Sequence, residues 1–135
     1  MGDSFANNDL NFPEGPKWDI EFYEDIVSRN PNYVEVLMLL GSLYTGSKMY
    51  AKGLNVDQRL AQLKQTDPIV QYNLACSYAL VGLPEKAFVA LAQAVELGYH
   101  DAKHMENDAD LNSIRSDPRY AAIISRIQKP KSVNT

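Results

Sequence analysis

His100 and His104 stand four residues apart in the segment His-Asp-Ala-Lys-His. On a helix that spacing puts two imidazoles on one face, where both can reach a single metal ion. The segment lacks the glutamate after the first histidine that a zinc hydrolase uses, and it commits no third ligand, so no metal is expected. Asp108-Ala109-Asp110-Leu111-Asn112 opens like a calcium loop. The sixth and twelfth positions of such a loop need Gly and Glu, and this chain has Ser113 and Arg119 there. Cys76 has no histidine or basic cluster near it in sequence to favour the thiolate, which makes it a small packing or groove residue rather than a nucleophile. Neither a glycine-rich phosphate loop nor a Ser-centred elbow occurs. The expectation is a protein without catalytic, cofactor-binding or metal-binding residues, and so not an enzyme.

The elements that would position any site are helical. Tyr72 to Gly98 holds two apolar-periodic runs around a Gly-Leu-Pro break. Leu74, Tyr78 and Val81 recur at three- and four-residue steps, as do Ala87, Leu91, Ala94 and Val95, which puts each set on one helix face. Gly82 and Gly98 suit the left-handed ends of helices, and Pro84 suits a first turn. Asp67-Pro68 and Asp117-Pro118 repeat a start signal in which Asp accepts from free N–H groups and Pro needs no donor. Residues 1–16 carry Asn, Pro and Gly with little periodicity and read as a flexible or draped arm, whose Phe5, Leu10 and Phe12 could dock on a neighbouring surface. Lys17 to Arg29 reads as a helix with Trp18, Phe22 and Ile26 along its buried side and Tyr23 beside them. After Gly98 come short helices near 101–106 and 109–115, with Met105, Leu111 and Ile114 covering the end of the stack. A last helix over 118–128 has Tyr120, Ile123, Ile124 and Ile127, and residues 129–135 form a polar tail.

Bulk properties narrow the class. The 135 residues leave room for one domain with a modest core. A net charge of −4 argues against tracking nucleic-acid phosphates, which wants clustered Lys and Arg. One cysteine forms no internal disulfide, no secretory signal is visible, and Ala6 stands where a myristoylation pattern needs Ser or Thr. No run has the length to span a membrane. A cytoplasmic protein is expected.

The Tyr72–Gly98 hairpin resembles a tetratricopeptide repeat, a family with a period of about 34 residues. In the family's order the matching positions are Ala75, Tyr78, Gly82, Ala87, Leu91 and Ala94, while Gly98-Tyr99 replaces the terminal proline. A second, more divergent copy precedes it. Gly41 and Ala75, Tyr44 and Tyr78, and Gly53 and Ala87 each lie 34 apart (75 − 41, 78 − 44, 87 − 53). Gly41 and Gly53 would let two helices approach closely, with Tyr44 filling the gap beyond them. Lys48 occupies the turn-glycine position, and Asp57 stands where a large apolar residue would pack. Asp57 is read as a carboxylate near the rim, or as one bonded to a tyrosine hydroxyl or paired with a base such as Arg59, with a recognition role as the alternative. The resemblance implies an all-α, short right-handed helical-hairpin solenoid. It comprises one domain over 17–128, with repeats at 34–64 and 68–98 and a cap at 99–128. Lys17–Arg29 takes the register of a preceding repeat's second helix.

The resemblance also implies where a partner binds. First helices of successive repeats line a concave groove. The positions that transfer are Glu35, Met38, Ser42 and Thr45 from the first copy, and Ile69, Tyr72, Asn73, Cys76, Ala79 and Leu80 from the second. Exposed, this set is apolar with an aromatic anchor and suits a hydrophobic peptide or helix of another protein; Tyr72 and Leu80 packing on a neighbouring helix or the arm is the alternative. Some family members clamp the C-terminal carboxylate of chaperones. Asn73 fits one clamp position, but Met38 and Ser42 replace the lysine and asparagine of the first repeat, which argues against that role. The expected function is a protein-binding adaptor. A self-associating homo-oligomeric module and a secretion-type chaperone for a hydrophobic client segment stand as alternatives.

Overall fold

A computed structural model describes residues 16–129. The elements run α1 (Pro16–Arg29), α2 (Val34–Gly46), α3 (Tyr50–Leu63), α4 (Pro68–Leu80), α5 (Pro84–Glu96), α6 (Ala102–Asn107), a 3-10 helix (Ala109–Ile114) and α7 (Pro118–Gln128), with no strand among the described residues. The architecture is all-α, built from antiparallel helical hairpins. The expectations for the N-terminal arm with Phe5, Leu10 and Phe12, and for the tail beyond Lys129, lie outside the described residues.

Local chemistry sets the ends of these helices. Asp67 accepts from the backbone N–H groups of Ile69 and Val70, and Asp117 from that of Arg119, each with proline in the first turn. Three helices end alike. After α2, α4 and α5 the chain enters the left-handed region at Lys48 (φ 63°), Gly82 (φ 83°) and Gly98 (φ 114°). The next N–H then turns back on the helix, from Met49 to the Tyr44 carbonyl, Leu83 to Tyr78, and Tyr99 to Ala94. Lys48 thus adopts the backbone of the glycine it replaces, despite carrying a Cβ.

Packing follows the order of the chain, with the most extensive contacts between α4 and α5 and between α2 and α3. Gly53 makes the α2–α3 approach possible, since a Cβ there would lie 3.3 Å from Thr45 Oγ1 and 3.7 Å from Tyr44 Cβ. One core gathers around Ala75, Ala87, Leu91 and Ala94 and continues into Met105, Leu111, Ile114, Tyr120, Ile123 and Ile124, so the C-terminal segment caps the second hairpin as expected. A second core joins Ile20, Leu37, Leu40, Tyr44, Val56, Leu60 and Val70. The buried side of α1 differs from the expected one. Ile20 is buried, with Tyr23 and Val27 against the same core, while Phe22 is 47% exposed and stacks on Trp18. Ile20, Tyr23 and Val27 fall at steps of three and four and turn that stripe onto α2; Tyr44 reinforces the contact by donating to Glu24 (2.5 Å).

Candidate functional site

The most chemically varied concavity is a groove of about 760 Å³ between the two hairpins. Helix α2 contributes Glu35, Met38, Leu39, Gly41, Ser42, Thr45 and Gly46; α3 contributes Asp57 and Leu60; α4 contributes Asn73, Cys76 and Ser77; the 3-10 helix adds Asp110. Gly41, Asp57, Leu60, Cys76 and Ser77 are buried and form its floor, while Glu35, Met38, Leu39, Ser42 and Asn73 are exposed along its walls. Six residues anticipated from the sequence therefore meet here: Glu35, Met38, Ser42, Thr45, Asn73 and Cys76.

Asp57 is the groove's principal electrostatic feature, and it lies in the interior with a serine as its partner, neither at the rim nor on a tyrosine hydroxyl or Arg59. It is only 7% exposed. Its Oδ2 accepts a 2.5 Å hydrogen bond from Ser77 Oγ across the α3–α4 interface, whereas Arg59 turns to Asn32. Burial pushes the Asp57 carboxyl up to about 6, and the Ser77 hydroxyl offsets part of that rise. The burial has a positional cause. Asp57 and Leu91 lie 34 apart (91 − 57), and Leu91 is fully buried in the second hairpin. Gly41 faces the carboxylate closely, since a Cβ there would come within 3.2 Å of Asp57 Oδ1.

Four anticipated groove residues lie elsewhere. Tyr72 is 3% exposed, stacked on Tyr99 at 4.4 Å, and its hydroxyl donates to Asp108 Oδ2 (2.6 Å). The C-terminal cap, not a partner, covers it. Ala79 is buried in the same core, with its carbonyl accepting from Ser113 Oγ. Leu80 is half-buried and Ile69 exposed, and neither lines the groove. Without Tyr72 the groove loses the aromatic anchor expected of it; its lining is mixed, with three carboxylates. Asp110 and Ser77, which the register did not indicate, enter instead: Asp110 because the cap folds back toward α4, and Ser77 because it neighbours Cys76 on the α4 side facing α3.

Two further polar clusters lie near the cap. Cys76 Sγ and carboxylate oxygens of Asp108 and Asp110 lie within 4.8 Å of one another, a spacing compatible with a metal ion. Asp108 and Cys76 are already engaged within the fold. Asp108 Oδ2 accepts from Tyr72 and Cys76, and its Oδ1 accepts from the Asp110 N–H. Burial, then the neighbouring Asp108 and Asp110 carboxylates, hold the Cys76 thiol well above its ordinary range. His100 precedes α6 and meets the Gly98 carbonyl, while His104 sits on α6 beside Asp108, so the two imidazoles do not share a helix face.

No family model matches the chain. Among curated proteins it is similar to a chloroplastic protein from Arabidopsis thaliana, with 26% identity over 61 residues. The matched stretch is 45% of this chain and 18% of that protein, so the match spans less than a fifth of the relative's length.

Proposed function

We propose that this protein is a non-catalytic interaction module of the tetratricopeptide-repeat type, whose groove between α2 and α4 receives a segment of a partner protein. The observation that carries the reading is the groove itself. Exposed apolar side chains, Met38 (40% exposed) and Leu39 (47%), stand beside the polar side chains of Ser42, Thr45 and Asn73 over a buried floor. Apolar stems with a few placed polar groups are the composition that holds a peptide. The repeat assignment is supported by pairs that lie 34 apart and play like roles: Lys48 and Gly82 at the left-handed turns, Gly53 and Ala87 at close helix contacts, and Asp57 and Leu91 in the interior. Among the described residues no helix is long and apolar enough to cross a membrane. A buried, reduced cysteine fits a reducing compartment such as the cytoplasm.

The test is selection of binders from a random linear peptide library, with the wild type compared to Ser42→Trp. Ser42 is exposed on the groove wall, so the indole fills the groove without entering the core. Peptides that bind the wild type and are lost by Ser42→Trp support the reading. Peptides retained by both move the site elsewhere, and recovery of only self-associated protein favours a homo-oligomeric module.

A further inference from the structure

Resting on that reading, we propose that the groove selects a cationic partner segment, inserting a lysine or arginine side chain toward Asp57 between Glu35 and Asp110. Among the described residues three carboxylates line the groove and no Lys, Arg or His does. Acidic surfaces are common, so the sign bias alone selects no occupant. Asp57 adds an independent observation: it is 7% exposed, Ser77 meets its Oδ2, and its Oδ1 lies beside Gly41 on the groove floor. A carboxylate this deep in the fold is costly to ionise, and a charge that reaches it offsets that cost. A guanidinium or ammonium supplies that charge in a charge-assisted hydrogen bond. The aliphatic stem of such a residue would lie along Met38 and Leu39 while its head reaches the floor.

The other titratable groups of the groove lining are compatible with this occupant. Glu35 from α2 and Asp110 from the 3-10 helix add negative charge, and Cys76 from α4 stays a neutral thiol. Burial keeps part of the Asp57 population protonated near pH 6, so an arriving cation also draws out that proton. The N-terminal arm is a poor candidate for the same place, since Asp3, Asp9 and Glu14 would bring like charge into the groove.

The experiment is the peptide selection on the full chain, read for composition and followed by fluorescence-anisotropy titration of a selected peptide. Expected is enrichment of Lys or Arg at one position, with affinity falling about tenfold in Asp57→Asn, the scale of one hydrogen bond to a charged group. Glu35→Gln, on the exposed wall, is expected to weaken binding about twofold to threefold, as solvated charges do. It keeps the test decisive if Asp57→Asn alters the fold. Groove-bound peptides without a basic preference would overturn this inference and leave the groove reading standing. Absence of any peptide sensitive to Ser42→Trp would overturn the groove reading itself. Binding seen only when Lys129 and Lys131 are both changed to Ser would assign the groove to the chain's own tail and overturn the partner assignment.

Discussion

Replacing Asp57 by Asn should stabilise the protein at neutral pH and leave it unchanged in mild acid. Asn keeps an acceptor for the Ser77 hydroxyl and nearly the same volume, but it does not ionise. In the folded chain burial raises the Asp57 carboxyl from 3.8 to about 6. The unfolded chain therefore releases this proton first as pH rises. Stability attributable to the neutral carboxyl is complete below about pH 4, falls between about pH 4 and 6, and stays lost above. The shift corresponds to on the order of 2–3 kcal/mol at neutral pH, and relaxation around the site reduces the realised part to about 2 kcal/mol. Urea denaturation followed by far-UV circular dichroism measures it. Comparing the two proteins at each pH cancels every other titration. The variant should exceed the wild type by about 2 kcal/mol near pH 7.5 and match it near pH 4. A difference independent of pH, or a variant weaker than the wild type at neutral pH, would refute the claim that a costly carboxylate sits in the groove floor.

The same geometry has other consequences. Lys48→Gly relieves left-handed strain at a C-terminal turn, and after allowing for the extra freedom of the unfolded glycine it should raise stability by about 0.5–1 kcal/mol in chemical denaturation. Gly53→Leu forces a side chain against Thr45 and Tyr44 at the α2–α3 contact and should cost about 1–3 kcal/mol or more, visible as a lower thermal midpoint. Native Cys76 should react with a thiol reagent only as fast as the fold opens, because burial and two neighbouring carboxylates disfavour the thiolate; labelling as fast as in urea-unfolded protein would contradict its placement.

Much of the fold was legible because its signals are local. Asp67-Pro68, Asp117-Pro118 and the turn glycines act within one helical turn, and the 34-residue register brought Gly53 and Tyr44 to one contact. Register also marks position 57 as interior, since its counterpart Leu91 packs fully buried. A carboxylate inside needs a partner, and the one it has, Ser77, lies twenty residues away on the next hairpin, where the local pattern names neither it nor its depth. Tyr72 is misplaced in the sequence reading for a related reason. Whether a first-helix aromatic faces a groove or a neighbour depends on the segment after the last repeat, and here Tyr99 and Asp108 of the cap cover it. The face of α1 is misread because Trp18 and Phe22 outweigh Ile20 and Val27 in bulk, although the latter pair, with Tyr23, meets α2.

The central claim, that a partner segment occupies the groove between α2 and α4, is tested most directly by amide chemical-shift mapping. A selected peptide is titrated into isotope-labelled full-length protein. The account predicts the largest perturbations at Gly41, Ser42, Thr45, Asn73 and Ser77, with little change over Leu83–Val89, whose Leu83 and Val89 side chains are exposed away from the groove. Perturbations concentrated at Leu83–Val89 or along α7, with the groove amides unmoved, would contradict it.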